Sequence, residues 1–288
     1  MLLSICIVNL NAKKYLSRCL KSIPGALATQ DYEIIIVDNN SSDRSCSYVQ
    51  NFKNKKITLI RNYYNSGYTI AINQALEKSR GENILILNPD SVLEKKSIDT
   101  LLRFLKKNKN VGIVGPKVIN EFGLFQASCR RGLATPIAVF SYFLGFSKLF
   151  KNNRLFTGYQ LNHLDENYIT QVDGVSGSCM VIKREVIDKI GHFDERFFAY
   201  QEDSDYCIRA KKSGWSIYYN PEAKIMHIGG VGGANSVPMK AIFEWHRSYF
   251  RYYFKHFSKS HSIFFNLFYT ILMGLKLIFS ETMFILKK

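Results

Sequence analysis

EIIIVD, residues 33–38, decides the fold. Four aliphatic residues in succession leave no polar alternation, so the run reads as a strand buried on both faces. Similar runs stand around it at LSICIV (3–8), KITLIR (56–61) and NILILN (83–88), with segments of helical spacing between them. Strand and helix in alternation predict a parallel sheet wound by right-handed crossovers, an α/β half-domain. The helix after YNSG (64–67) shows the pattern, with Ile70, Ala71, Ala75 and Leu76 near one stripe and Gly81 as the expected C-cap.

In an open parallel sheet, ligands sit off the carboxyl ends of the strands. Asp38 closes EIIIVD, and Asp90 follows NILILN beside Pro89, whose missing N–H suits a position outside the sheet. The two acids are expected to face one crevice, the plainer alternative being that each caps the next helix or turn. Beyond VGIVGPKV (111–118), residues 119–170 have no clear periodicity and carry Arg130, Arg131, Lys148, Lys151 and Arg154 among many aromatics. They read as a surface excursion, a lid or a substrate-binding segment. Regular structure resumes at SCMVIKREVIDKIGHFDERF (178–197), a short strand and then a helix that Gly191 ends.

FFAYQEDSDY (197–206) places Glu202, Asp203 and Asp205 behind a run of rings. Tyr206, Cys207 and Ala210 follow at helical spacing, RAKK puts cations in the last turn and Gly214 closes the helix, so the acids occupy its N-terminal end. There they could simply cap it. Capping needs one side chain, however, and several acids behind water-excluding rings suit general-base chemistry, with Asp203 leading. KIMHIGG (224–230) ends another apolar run at His227, either a satisfied structural histidine or a ligand for a metal or diphosphate. GGVGGAN (229–235) matches neither the Walker nor the dinucleotide fingerprint.

With 288 residues, 47% hydrophobic, 14% aromatic and 22% charged, the chain suits one globular domain with an appended element. Lys and Arg outnumber Asp and Glu by 39 to 23, and the net charge of +16 suits nucleic acid, an anionic membrane face or phosphorylated ligands. MLLSICIVNLNAKKYL has neither the basic start nor the cleavage site of a signal peptide and reads as a first strand, which points to the cytoplasm. Six scattered cysteines read as reduced structural thiols, not as a zinc site or disulfide framework.

Taken in order, SICIVNLNAKKYLSRCLKSI, EIIIVDNNSSDRS, NYYNSGYTIAINQAL, NILILNPDSVL and the stretch from VDGVSGSCM to MHIGG resemble the successive motifs of glycosyltransferase family 2, nearest its bacterial rhamnosyltransferase-like branch. The resemblance covers residues 3–235. It implies a GT-A fold: a Rossmann-like nucleotide-binding half, a mixed-sheet acceptor half, and inversion at the anomeric carbon of a nucleotide-activated sugar. By this likeness Asp38, Asn39 and Asn40 would hold base and ribose, and Asn65, Gly67 and Asn73 would join the nucleotide-sugar pocket. Asp90 matches the last acid of the family's D-x-D signature and would hold Mg²⁺ or Mn²⁺ on the diphosphate. Asp203 matches the base of the Glu202–Asp203 pair, and His227 a histidine that helps with metal or diphosphate. Asn88 replaces the first acid of D-x-D, which weakens the expected hold on metal, and Asn39 stands where many relatives have a second acid. By resemblance alone, dTDP-rhamnose ranks first as donor and UDP-sugars second.

From residue 239 the chain interleaves aromatics with cations and then turns strongly apolar, which sets an expected division into a catalytic domain (1–238) and a C-terminal helical region (239–288). Its longest uncharged run, Ser262 to Leu275, is short for a membrane span, so an interfacial amphipathic helix on an anionic membrane is expected, ahead of a homodimer interface or a true anchor. That placement suits a lipid-linked saccharide acceptor in the synthesis of O-antigen or capsule. The competing readings are a basic single-strand nucleic-acid binder, which leaves Asp38, Asp90 and Asp203 unexplained, and a catalytically silent sugar-nucleotide-binding module.

Overall fold

The structure, a computed structural model, describes residues 1–52, 54–150, 153–231 and 237–287. The first half runs β1 (Leu3–Asn9), α1 (Lys13–Ala26), β2 (Tyr32–Asp38), α2 (Ser45–Asn51), β3 (Ile57–Arg61), α3 (Tyr68–Lys78), β4 (Asn83–Leu87), β5 (Ser91–Leu93), α4 (Ser97–Lys107) and β6 (Val111–Ile119). Short pieces follow: β7 (Arg130–Arg131), α5 (Pro136–Phe143), α6 (Phe146–Leu149), α7 (Arg154–Thr157), β8 (Thr170–Val172) and β9 (Gly174–Val175). Then come β10 (Cys179–Lys183), α8 (Arg184–Ile190), α9 (Glu202–Lys212), β11 (Ser216–His227), α10 (Pro238–His256) and α11 (Ile263–Leu286).

The main sheet has the order β3-β2-β1-β4-β10-β6-β11-β5, with β8 pairing β11. From β3 to β4 every pairing is parallel, as the alternation of strand and helix requires. β10 inserts antiparallel between β4 and β6, and β11 runs parallel to β6 but antiparallel to β5 and β8, so the second half is mixed. β1 and β2 are buried along their whole length, whereas β3 is only half-buried because it forms the sheet edge, a correction to its reading as a two-face strand. The helix α3 ends at Ser79, not at Gly81. Gly81 serves instead a close approach: a Cβ there would collide with the backbone of Leu3 and Ser4 in β1.

Two registers position the chemistry. Asn9, Asp38 and Arg61 close three adjacent strands side by side, and His227 pairs with Ser91, which sets the end of β11 beside Asp90. Before α9, Tyr200 and Gln201 both adopt positive φ (67° and 59°), and this reversal carries Glu202 and Asp203 inward. No side chain caps α9. Asp205, fully buried, is an ion-pair hub: it accepts from Arg209 Nε (2.9 Å) and His256 Nε2 (2.7 Å), and Lys255 Nζ lies 2.6 Å away.

Through those contacts the α10 helix is tied to α9, and it also lines the cavity described below. Among the described residues, α11 is the one helix long and apolar enough to cross a membrane, longer than the uncharged run suggested. One stripe of it (Tyr269, Met273 and Lys276) packs on the protein, and Phe264, Phe268, Ile271, Leu275 and Phe279 are exposed. Nor is 119–170 merely a surface excursion. Arg130 is buried, donating to the carbonyls of Leu164 (2.5 Å) and Asp165 (2.8 Å), and Arg131 reaches the cavity. Lys151 and residues 232–235 of the glycine-rich stretch lie outside the described residues, as do the side chains of Lys148 and Arg154.

Candidate active site

Off the carboxyl ends of β1 and β4, closed by α9 and α10, lies a cavity of about 730 Å³. That is room for a nucleotide-sugar-sized ligand. It brings together Asn39, Asn65, Asn88, Asp90, Glu202, Asp203 and His227 in one wall system.

One corner suits a cation. The Asp90 Oδ2 accepts from the backbone N–H of Gly229 (2.9 Å), and its Oδ1 faces His227 Nε2 at 3.3 Å. Gln126 orders the imidazole from behind: its Nε2 donates to the His227 carbonyl (2.7 Å), leaving its Oε1 to accept from Nδ1–H (3.1 Å). Asn88 Nδ2 also points toward Nε2 (3.4 Å). A carboxylate oxygen and an imidazole nitrogen this close together are donor types that would hold a divalent cation between them. Among the described residues no three His, Cys, Asp or Glu side chains converge, so the protein offers two strong donors and no full cage.

The acid pair lines the same cavity. Asp203 Oδ2 accepts from Gly177 N–H (2.9 Å) and from the Arg131 guanidinium, and its Oδ1 from Ser204 N–H (2.7 Å) and more loosely Ser204 Oγ (3.3 Å). Burial opposes the charge on Arg131, but Asp203 together with Tyr159 and Tyr249 outweighs it and raises the guanidinium's pKa further. Glu202 differs sharply. It is 7% exposed, its Oε2 has no hydrogen-bond partner, and burial followed by repulsion from Asp203 pushes its pKa from 4.5 up to about 8. The nearby Tyr68 hydroxyl is also buried without a partner, and burial, then Glu202, raise it well above the ordinary tyrosine value.

Other expected site residues lie elsewhere. Asp38 is buried away from the cavity, accepting from Asn9 Nδ2 (2.7 Å) and Ser41 N–H (2.9 Å), and so shapes the turn that carries Asn39 to the wall. Asn40 is exposed with φ 67°. Gly67 does not line the cavity: with φ 96°, it leaves room for Phe198, which lies 2.7 Å from where a Cβ would sit. Asn73 is committed to the backbone of Phe193, donating to its carbonyl (2.9 Å) and accepting from its N–H (3.0 Å), so it pins α3 to the segment before α9. Arg131, Gly177, Gln126 and Tyr68 escaped the sequence reading because each acts through a contact distant in sequence. Arg131 stood out only as a cation in an irregular stretch.

A family model described as glycosyl transferase family 2 matches residues 4–191. The chain belongs to glycosyl transferase family 2. It is a glycosyltransferase with the GT-A fold, and its likeness runs to rhamnosyltransferases. It is similar to the N-acetylglucosaminyl-diphospho-decaprenol L-rhamnosyltransferase of Mycobacterium tuberculosis, 29% identical over 238 residues (78% of this chain, 75% of that one). It is also similar to rhamnosyltransferase WbbL of Escherichia coli, 24% identical over 255 residues (86% and 91%). Among solved structures, the Pyrobaculum calidifontis mannosyltransferase in complex with GDP-Man and Mn²⁺ superposes with TM-score 0.60 at 15% identity, covering 88% of this chain and 64% of that one. S. aureus TarS with UDP-GlcNAc gives 0.59 at 16% (88% and 66%). These last two likenesses concern the fold, and the family 2 chain spans about two thirds of each solved chain.

Proposed function

We propose that this family 2 enzyme is an inverting glycosyltransferase that moves a sugar, rhamnose first, from a dTDP- or UDP-activated donor to a saccharide acceptor carried on a lipid, at the cytoplasmic membrane face, in cell-surface polysaccharide synthesis. The observation that carries this reading is that the Asp90–His227 pair and the Asp203 carboxylate line one and the same cavity. The names of the mycobacterial and E. coli relatives support the sugar and the lipid-linked acceptor. The basic chain and the apolar outer face of α11 support the membrane.

Bound between Asp90 and His227, Mg²⁺ or Mn²⁺ would neutralise the charge that develops on the departing diphosphate. Asn39 and Asn65 line the cavity and would contact the nucleotide. The acceptor oxygen bonds to the anomeric carbon as the bond to phosphate breaks, and Asp203 takes the acceptor's proton. Gly177 and Arg131 fix the carboxylate's direction. The hydroxyl of Ser204, its most distant partner, rotates away to free a lone pair for the incoming group. The test is calorimetric titration with dTDP, UDP and GDP, each with and without Mn²⁺, followed by transfer to a short-chain polyprenyl-diphosphate N-acetylglucosamine. Metal-enhanced binding of one nucleotide with transfer supports the reading. Nucleotide binding with no turnover to any acceptor would favour a silent module, and tight, salt-sensitive polynucleotide binding without nucleotide binding would overturn it.

A further inference from the structure

One stripe of α11 is fastened to the protein along its length. Asn266 accepts from the Tyr253 hydroxyl of α10, and Tyr269 stacks on the Tyr253 ring at 3.8 Å. Farther on, Lys276 sets its ammonium 4.5 Å from the Trp245 ring centre and 4.4 Å from that of Phe143 in α5, and 3.2 Å from His246 Nε2. Lys276 stands near the middle of the helix, which runs from Ile263 to Leu286, and Glu281 follows. Were α11 to cross a bilayer alone, it would carry both charges into hydrocarbon. Its attachment to α10 and α5 keeps Lys276 among rings instead, and turns the opposite face, with Phe264, Phe268, Ile271 and Leu275, outward.

The exposed apolar surface does not end at α11. Phe140 of α5 rests on Tyr269 with ring centres 5.5 Å apart, and Ile137, Phe140 and Leu144 share one face of α5 and its C-cap, at spacings of three and four. Ile137 and Leu144 are exposed, as are Leu149 and Phe150 at the end of α6, Leu149 by 74%. Tyr142, on the same helix α5, lines the cavity. Soluble monomers rarely leave so much apolar surface uncovered. The charge around it selects the occupant. Residues 132–164 contain no Asp or Glu but include Lys148, Lys151 and Arg154, and residues 238–287 hold seven Lys and Arg against Glu244 and Glu281. A second copy of the chain would bring like charge against like charge. A bilayer containing anionic lipid supplies both the apolar interior and the opposite charge.

We propose that α5, α6 and the outer face of α11 form one docking shelf for an anionic bilayer, entering a single leaflet with α11 lying along it and not crossing, so that the cavity rim at Tyr142 stands beside the lipid surface. The inference rests on the membrane placement in the proposed function and adds which elements enter, how deep they go and which side of the cavity faces lipid.

The experiment uses the full chain with vesicles of phosphatidylglycerol and phosphatidylcholine, and with phosphatidylcholine alone. The six native cysteines are buried, so an environment-sensitive dye can be placed by single substitutions. These are Leu149→Cys in α6, Phe268→Cys and Leu275→Cys in α11, and Arg103→Cys in α4 as a position outside the shelf. The expected result is binding at least tenfold tighter to the anionic vesicles, with blue-shifted emission at the first three positions and none at the fourth. Spin labels high on the acyl chain should quench all three more strongly than labels at its end. Leu144→Glu with Leu149→Glu should weaken vesicle binding at least tenfold at an unchanged melting temperature. Vesicle binding with a shift at Phe268→Cys but none at Leu149→Cys refutes the shelf alone. Strongest quenching of Leu275→Cys by chain-end labels would mean a spanning helix and refute the single-leaflet arrangement. Shifts that grow with protein concentration in the absence of lipid would assign the face to a second copy. A wild type that binds neither vesicle refutes the shelf and the membrane placement together, while nucleotide binding and sugar transfer remain the separate test of the enzyme.

Discussion

Replacing Glu202 with Gln should make the protein more stable at neutral and alkaline pH and leave it unchanged in acid. The raised pKa means that the folded chain keeps a proton that the unfolded chain has released, so between 4.5 and about 8 the folded state binds one proton more. Stability carried by the protonated carboxyl is therefore fully present below 4.5 and is lost progressively until the pH passes about 8. Each pH unit in that window removes about 1.4 kcal/mol, so at pH 7 the loss is about 3 kcal/mol. Glutamine has the same shape and cannot ionise, so it escapes this loss. For a chain of this size, about 3 kcal/mol corresponds to a Tm difference of about 6 °C. The assay is thermal unfolding of wild type and Glu202→Gln by circular dichroism from pH 5 to pH 8.5: the melting temperatures should be near one another at pH 5 and diverge steadily, with the variant above. Parallel curves across the range, or a variant that loses ground as pH rises, would refute the assignment of a neutral buried acid at this position.

Further perturbations separate the roles of the other groups. Asp203→Asn should leave nucleotide affinity within about twofold and lower transfer by about 10²–10⁴, and full transfer activity in that variant would remove Asp203 from the role of base. Asp90→Ala should abolish the Mn²⁺-dependent increment in nucleotide binding, whereas Gln126→Ala should weaken it about tenfold by releasing the imidazole, both read by calorimetry. Asp205→Ala strands Arg209, Lys255 and His256 around a buried void and should lower stability by about 3–5 kcal/mol, measured by urea unfolding at pH 7; a loss under 1 kcal/mol would mean that the hub is not a structural tie. Serine at Phe264, Phe268 and Ile271 together should reduce binding to anionic vesicles at least about a hundredfold in a sedimentation assay. Unchanged vesicle binding would point to another occupant for that face.

How much the sequence could tell depended on the range of the interaction. Strands β1, β2 and β4 announce themselves through unbroken aliphatic runs, because burial on both faces is written locally in each strand. Asp90, His227 and Asp203 were reachable because each stands at the end of such a run or at the start of a helix, where open α/β sheets place ligands. Gly67 and Asn73 fell in the right motif but serve packing: one makes room for Phe198, the other holds the backbone of Phe193. That distinction depends on segments more than a hundred residues away. Arg131 was visible only as a cation in a stretch read as a lid or substrate-binding segment, since nothing near it in sequence marks its contact with Asp203. The change of composition at 239 was legible, but not the Asp205 contacts to Lys255 and His256, which join α10 to α9 across some fifty residues of sequence.

The loop between β9 and β10 acts as a calliper. Ser178 offers its carbonyl to the N–H of Asn88 (3.1 Å), two residues before Asp90, and its neighbour Gly177 gives its N–H to Asp203 (2.9 Å). Two consecutive residues, spanning at most about 7 Å of backbone, therefore set the separation between the proposed site of departure and the proposed site of proton uptake. A displacement reaction requires a fixed separation of that kind, and here covalent bond lengths supply it, not the rotamers of flexible side chains. The helix α10 that lines the cavity could thus be remodelled without recalibrating that separation, whereas a single residue added between 176 and 178 would put the two jaws out of gauge.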